Sequence, residues 1–238
     1  MFRKIKYTLL NDNRIKNYLK YALGEICLIV IGILIAVSIN NWNENRTQMN
    51  RKKEVFTILV NDIQIDLAEV EQILEYYNNK KPTFEKVIND TLSKNEILEC
   101  EYCRHLITGR RLLTINTRGF QQLSGDRNTT HFKSDSLIFN VVNFYTTLNH
   151  DVNKLNELIN DDIIENLAYW RDTYPWFASS TMGKLSEEDY VRYFANNQEY
   201  KNKVAYHYML IYDNYVPVLK TFKFKSEKIL NDLKSNLK

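Results

Sequence analysis

The sequence predicts an all-α protein: an N-terminal transmembrane helix followed by an antiparallel helical bundle with a long first and last helix. Three observations lead to this prediction. Residues 21–39 are predominantly apolar and contain one charged side chain, Glu25. The 238-residue chain has only six glycines and three prolines, which favours long helices over a β architecture with many turns. Beyond the span, apolar residues recur every three or four positions, and no segment shows sustained alternation with a period of two.

The apolar run divides the chain into three parts. We predict a basic cytoplasmic tail at residues 1–20, a transmembrane helix at residues 21–41 and a helical extracytoplasmic domain at residues 42–238. About 20 apolar residues in a helix cross a hydrocarbon core of about 30 Å, and the helix satisfies its own backbone groups there. Tyr18 and Trp42 flank the run, where amphipathic aromatic rings prefer the membrane interface.

The charges around the span predict its orientation. Six Lys or Arg residues precede residue 21, against the single Asp12, whereas Arg46, Arg51, Lys52 and Lys53 follow the span. An excess of basic residues marks the cytoplasmic side, so we expect the N-terminus in the cytoplasm and the domain outside it. A cleaved signal peptide is the alternative, with 36–38 as a small-residue cleavage site. The long N-terminal region and the polar, helix-compatible sequence after the span favour an uncleaved anchor.

The same charge distribution argues against nucleic acid as a partner. The net charge of the chain is +3, but residues 1–20 alone carry six basic residues and one acidic residue. After residue 42, the other 26 basic residues are balanced by 27 of the 29 acidic ones. A nucleic-acid-binding domain needs basic residues concentrated on its folded surface. The sequence therefore predicts no nucleic-acid partner.

The span itself predicts the lipid bilayer as a partner through residues 21–41. Gly32 and Ala36 form a small-xxx-small pair, which lets another helix approach closely. We therefore expect either a homodimer or a complex with another envelope protein. Glu25 has two readings that the sequence leaves open: a hydrated carboxylate at the membrane edge beside Lys20, or a functional intramembrane carboxylate.

The anchor also carries a family resemblance. Residues 21–44 read YALGEICLIVIGILIAVSINNWNE. This stretch resembles the signature of an uncharacterised family of small single-pass membrane proteins of certain Gram-negative bacteria, roughly GEI-x-L-x-x-IGILIA followed by INNWNE. A weaker likeness covers residues 119–145. The resemblance implies this architecture and a location in the cell envelope, but it implies no activity. Together with the orientation predicted above, we expect the bacterial inner membrane and a periplasmic domain.

The domain after the anchor reads as a series of helices. An apolar stripe predicts a first helix that ends near Asn78, with Pro82 opening the next. This stripe consists of Phe56, Leu59, Ile63, Leu67, Val70, Leu74 and Tyr77. One or two short helices are expected at 83–113, a polar loop at 125–135, a helix capped by Ser134 that runs through Leu148, and another helix at 151–173. Residues 173–185 read as irregular, Ser186 as the start of a capping box, and the final helix as broken or kinked at Pro217.

Few residues suggest chemistry, and the sequence assigns no catalytic, cofactor-binding or metal-binding residue. Cys100 and Cys103 have three open readings: unpaired thiols, a local disulfide, or a metal or redox site without the usual βαβ context. Histidines 105, 131, 150 and 207 lack a partner motif and predict surface or satisfied core positions. The pair at 161–162 reads as a solvated acidic face. The aromatic cluster at Trp170, Tyr174, Trp176 and Phe177 reads first as core packing, with ligand stacking as the alternative.

These observations predict a membrane-anchored, non-enzymatic helical module that acts by protein–protein interaction in the cell envelope. The alternative function is a ligand-sensing periplasmic helical domain that modulates a membrane partner in trans. An enzyme is the least favoured class, because no motif pairs a nucleophile with a base. No cofactor is expected.

Overall fold

The computed structural model describes residues 13–100, 102–125, 136–195 and 197–237. All regular secondary structure in these ranges is helical, which confirms the all-α prediction for this part of the chain. The helices are α1 (Asn13–Ile88), α2 (Lys94–Glu99), α3 (Arg118–Gly125), α4 (Ser136–Thr173), α5 (Phe177–Thr181), α6 (Glu187–Phe194), α7 (Gln198–Tyr208) and α8 (Val216–Leu237). A 3₁₀ turn at Cys103–His105 follows α2, and a π-helical segment at Met209–Tyr215 joins α7 to α8.

The chain forms two compact units, Met1–Glu54 and Val55–Lys238. In the first unit, α1 contains an 18-residue window with a mean hydropathy of 2.7, and none of that window is buried. By length and composition this helix can cross a membrane. The apolar side chains of this window are therefore exposed without a protein partner, as Leu28 at 72% exposure illustrates.

The second unit contains two hydrophobic clusters. The first is built from one face of α1, one face of α4, the π-helical segment and α8, and includes Leu59, Ile63, Val141, Ile211 and Phe222. Most of the predicted α1 stripe is fully buried in it, whereas Leu67 and Leu74 are partly buried. The second cluster joins the end of α1 to α2, the 3₁₀ turn, α6 and α7, and is rich in aromatic rings.

The prediction that the first helix ends near Asn78 is wrong, because α1 continues through Pro82 to Ile88. Proline lacks the N–H that a helix interior needs, so packing must compensate. Phe84 and Val87, beyond the proline, are 1% and 7% exposed in the second cluster. Burial of these side chains explains why the helix persists beyond a residue that normally ends one.

The two helices predicted around Leu148 are one continuous helix, α4. Leu148 is 2% exposed and Val152 is fully buried, so the same face stays in the core across the expected junction. No Gly or Pro lies between them to interrupt the backbone. Ser134 and almost all of the predicted polar loop lie outside the described residues.

The break predicted at Pro217 takes the form of the π-helical segment Met209–Tyr215. The N–H of Val216 donates to the carbonyl of Ile211, five residues back, and the Asn214 side chain donates to the carbonyl of Met209 at 2.9 Å. A wider turn just before a residue without an N–H lets the helical direction continue into α8.

Two serine caps start short helices. The hydroxyl of Ser186 accepts the backbone N–H of Asp189 at 3.1 Å, so the predicted N-terminal cap of α6 is present. Ser93 and Glu96 form a full capping box at α2. The prediction that residues 173–185 are irregular is partly wrong, because they contain the short helix α5. Gly183, which follows this helix, has a φ of +68°.

Gly119 marks a close approach of α3 to α1 in the second unit. A Cβ at this position would lie 2.9 Å from the backbone nitrogen of Leu59 and 2.8 Å from its side chain. Leu59 is fully buried in the first cluster, so it has little room to move. Only glycine therefore lets α3 pack directly on α1 at this point.

We expect Gly119→Ala to lower the free energy of unfolding by about 1–3 kcal/mol, because overpacking a full core displaces its neighbours. Gly125→Ala is the matched control, since a Cβ there meets nothing within 4 Å. Urea unfolding followed by tryptophan fluorescence measures both variants. Equal stability of the two variants would contradict this packing.

Candidate functional site

Two buried carboxylates of α1 hold the segment that leads into α3. The Asp62 carboxylate accepts hydrogen bonds from Nε and Nη2 of Arg118, at 3.1 and 2.7 Å. It also accepts a hydrogen bond from the backbone N–H of Gly119 at 2.9 Å. Asp66 accepts the backbone N–H and the side-chain amide of Asn116, the latter at 2.6 Å. Both aspartates are fully buried. They fix the backbone at residues 116–119 to the core face of α1.

Hydroxyl and amide groups hold the non-helical backbone just before this segment. The hydroxyl of Tyr77 donates to the carbonyl of Arg111, and the N–H of Leu113 donates to the Tyr215 hydroxyl at 2.7 Å. The Asn156 amide donates to the carbonyl of Leu113 at 2.9 Å. Side chains from α1, α4 and the π-helical segment therefore satisfy the hydrogen-bonding groups of a backbone stretch that belongs to no helix or sheet.

Asp66 has an unusual environment for a carboxylate. Its polar contacts come from the neutral Asn116, and burial raises its pKa from 3.8 to about 6, although the hydrogen bonds from Asn116 act in the opposite direction. The buried hydroxyl of Tyr145 has no hydrogen-bond partner, and the charges of Asp66 and Asp62 add to the effect of burial in raising its pKa. This part of the core is therefore polar, with a carboxylate whose polar contacts are neutral and a hydroxyl that lacks a hydrogen-bond partner.

A raised pKa at Asp66 gives stability a definite pH dependence. Its folded-state pKa lies above its unfolded value, so the folded state binds the proton more tightly, and the free energy of unfolding falls as pH rises from about 4 to about 6. A shift of this size corresponds to about 3 kcal/mol. We expect Asp66→Asn to remove this slope, whereas Asp161→Asn, at an exposed position, retains it. Urea midpoints measured between pH 4 and pH 7 decide the matter, and parallel curves for the two variants would contradict the assignment.

A second buried polar group joins α4 to α7. Nδ1 of His207 lies 2.5 Å from Oδ2 of Asp162, and the amide of Asn166 donates to the same oxygen at 3.2 Å and to the carbonyl of Ile107. Lys203 donates to the Asn166 oxygen at 3.1 Å. Nε2 of His207 is buried and has no hydrogen-bond partner.

This geometry corrects one prediction and qualifies another. Asp162 is not part of a solvated acidic face but is 6% exposed, because it faces His207. His207 is a core histidine, as the sequence allowed, but only one of its nitrogens is satisfied. His105 and His150 are exposed, and His131 lies outside the described residues.

A buried amine lies near the junction of the two clusters. Nζ of Lys80 donates to the Tyr76 hydroxyl at 2.6 Å and lies 4.4 Å from the centre of the Tyr76 ring. The residue is 2% exposed, and burial lowers the pKa of its amine to about 8. Aromatic faces and a hydroxyl replace the carboxylate that a buried lysine usually has.

Cys100 and Cys103 form a disulfide, so the reading as unpaired thiols is wrong. Cys100 is partly exposed and Cys103 is 1% exposed, within the second cluster. The backbone N–H of Cys103 donates to Sγ of Cys100 at 3.1 Å. The bridge lies between the end of α2 and the 3₁₀ turn.

The predicted aromatic cluster divides between core and surface. Trp170 is 5% exposed, and its indole N–H donates to the Tyr193 hydroxyl at 2.5 Å. Tyr174 and Trp176 stack with ring centres 5.1 Å apart and are half-buried. They line a groove of about 630 Å³ together with Tyr193, Lys184, Arg192 and Asn197. Core packing and a surface suited to stacking therefore coexist in this cluster.

Comparison with known families identifies the chain. A family of unknown function, DUF6090, matches residues 25–152, which is more than half of the sequence. The chain belongs to the DUF6090 family. This confirms membership of an uncharacterised family, expected from the signature in the anchor. No curated protein and no solved structure matches the chain.

The DUF6090 match covers some of the features above and not others. Asp62, Asp66 and the disulfide lie inside the matched range, as does Gly119. The Asp162–His207 pair and the aromatic groove lie beyond residue 152. The family thus covers most of the apolar span, the carboxylates that hold the segment before α3, and the beginning of α4.

Proposed function

We propose that the protein is a membrane-anchored, non-enzymatic helical module that acts by protein–protein interaction in the cell envelope. One observation carries the proposal: an 18-residue window of α1 has a mean hydropathy of 2.7 and is wholly unburied. A surface this apolar needs a lipid or protein environment, because contact with water is costly. The bilayer around residues 21–41 provides it. The folded second unit then serves as the interaction module.

The location we propose is the bacterial inner membrane, with the N-terminus in the cytoplasm and the C-terminal domain in the periplasm. The excess of basic residues before the span supports this orientation. The Cys100–Cys103 disulfide supports an extracytoplasmic domain, since such bonds persist in oxidising compartments.

We further propose that the second unit is an antiparallel bundle. Three contacts between α1 and the C-terminal helical run of α7, the π-helical segment and α8 support this arrangement. As the residue number rises along the C-terminal run, the number of the contacted residue in α1 falls. The Tyr208 hydroxyl contacts Glu85, the Tyr212 hydroxyl contacts the carbonyl of Tyr77, and Lys223 contacts Glu71. Such a bundle presents long helical faces to a partner, which is either another envelope protein or a second copy of this chain.

The groove favours a second candidate function, a ligand-sensing periplasmic domain that modulates a membrane partner in trans. Its volume of about 630 Å³ lies within the range of small-molecule sites. Stacked Tyr174 and Trp176 offer an aromatic wall, and Lys184, Arg192 and Asp189 offer charges of both signs. Mass spectrometry of the purified protein separates the two functions: a co-purified small molecule favours the sensor, and a co-purified envelope protein favours the interaction module.

Reporter fusions test the proposed orientation. We expect alkaline phosphatase fused after Lys238 to be active, because it requires export, and a fluorescent protein that matures only in the cytoplasm to be dark at the same position. Fusions after Lys20, before the span, are the control and should behave in the opposite way. A fluorescent and phosphatase-inactive pair at Lys238 would overturn the orientation.

A further inference from the structure

The two cysteines of the disulfide differ in environment. Cys103 is buried in the second cluster at 1% exposure, whereas Cys100 is partly exposed at its edge. A partner can therefore reach Cys100 more easily than Cys103. Thiol–disulfide exchange depends on which sulfur is accessible and on which one carries the thiolate charge.

The backbone also distinguishes the two sulfurs. The N–H of Cys103, at the start of the 3₁₀ turn, donates to Sγ of Cys100 at 3.1 Å. In the reduced protein the same N–H would stabilise a thiolate on Cys100, because a charged acceptor strengthens the hydrogen bond. Access and thiolate stabilisation thus coincide on Cys100. The missing βαβ context does not bear on this, since exchange requires the local arrangement rather than a particular fold.

We propose that Cys100 and Cys103 form a thiol–disulfide exchange site, in which Cys100 is the attacking sulfur and Cys103 the resolving sulfur. The partner is a molecule that carries a disulfide or a dithiol. The exchange is stoichiometric, so it adds a redox state to the interaction module rather than a turnover activity.

The reaction balances without any further reagent. The Cys100 thiolate attacks one sulfur of the partner's disulfide, which forms a mixed disulfide and releases the other partner sulfur as a thiolate. This released partner thiolate takes the proton of the buried Cys103 thiol, and the Cys103 thiolate attacks Sγ of Cys100. The Cys100–Cys103 bond forms and the second partner thiolate leaves. The protein loses two electrons and the partner gains two, and the reverse sequence reduces the protein with a partner dithiol.

Single-cysteine variants of the full chain in detergent micelles test the proposal. Cys103→Ser keeps the attacking sulfur, Cys100→Ser keeps the resolving sulfur, and Cys27→Ser is added to both to remove the free thiol. Both variants lose the same disulfide, so each is a control for the other's stability. Glutathione disulfide is the probe, and mass spectrometry follows the mixed disulfide over time.

We expect the variant with Cys100 alone to form the mixed disulfide at least about tenfold faster than the variant with Cys103 alone, because of its access and thiolate fraction. Addition of urea should remove the difference, which shows that the fold creates it. Equal rates in the folded variants, or faster reaction at Cys103, would overturn the proposal. Its failure would leave the membrane-anchored interaction module untouched, since that proposal rests on the apolar span.

Discussion

Asp162→Ala is expected to lower the free energy of unfolding by about 2–4 kcal/mol, since it removes the acceptor of two buried hydrogen bonds. Nδ1 of His207, which lies 2.5 Å from Oδ2 of Asp162, and the amide of Asn166 would both lose this oxygen as a hydrogen-bond partner. Nε2 of His207 already lacks a partner, so the imidazole would have no hydrogen bond to its ring in a fully buried position. Urea unfolding of the full chain in micelles, followed by tryptophan fluorescence, measures the loss.

The neighbouring aspartate provides the control for this prediction. Asp161 is on the same helix and is exposed, so Asp161→Ala should change stability by no more than about 0.5 kcal/mol. The two variants remove the same charge from adjacent positions. A similar effect for both would show that net charge, and not the buried pair with His207, determines stability here.

Asp62→Ala is expected to have an effect of similar size, about 2–4 kcal/mol, because a buried backbone donor is left without an acceptor. The Asp62 carboxylate binds Arg118 and the N–H of Gly119. In the Asp62→Ala variant, water can solvate Arg118, because its side chain is 62% exposed. The Gly119 N–H is held against α1 and would lose the Asp62 carboxylate, which is its hydrogen-bond acceptor.

This asymmetry between the partners of Asp62 gives the prediction a sharper form. Arg118→Ala should cost less than Asp62→Ala, because the fully buried Asp62 loses its cationic partner but keeps its bond to the Gly119 N–H. Glu75→Ala, at an exposed position on the same helix, serves as the control for loss of a carboxylate from α1. If Arg118→Ala destabilised the protein as much as Asp62→Ala, the ion pair and not the backbone hydrogen bond would be the main contribution.

Periodicity predicted the helices better than it predicted where they end. The stripe from Phe56 to Tyr77 is the core face of α1, and the face around Val141 is the core face of α4. The expected breaks at Pro82 and near Leu148 do not occur, because burial of Phe84 and Val152 outweighs the local signals. Local preference is a weak guide wherever a tertiary contact is available.

The buried polar groups were harder to predict, and for a different reason. Asp62 follows Leu59 by three positions and Asp66 follows Ile63 by three, so both lie beside the apolar stripe at helical spacing. That position was the available signal, but a carboxylate beside a stripe is usually solvated. The partners of these aspartates, Asn116 and Arg118, are about fifty residues away in the chain. Only the tertiary fold shows that they meet.

The aromatic and cysteine clusters lie between these two cases. The aromatic residues Trp170, Tyr174, Trp176 and Phe177 are predicted to form one cluster. The structure separates the buried indole of Trp170 from the rings of Tyr174 and Trp176, which line the groove. The spacing of Cys100 and Cys103 allowed a disulfide without requiring it. In both cases local sequence identified the residues, but their degree of exposure depends on packing against α6 and α7.

Membrane retention after alkaline carbonate extraction tests the central claim most directly, because this treatment removes peripheral proteins and leaves integral ones in the pellet. We expect the full chain to stay in the pellet, and Ile31→Arg/Ile35→Arg to shift to the supernatant, since each arginine at the centre of a span costs about 2.5–3.5 kcal/mol. Ile65→Arg/Ile164→Arg, at exposed positions of the second unit, is the matched control and should remain in the pellet. Release of the unaltered chain into the supernatant would contradict the membrane anchor, and with it the proposed function.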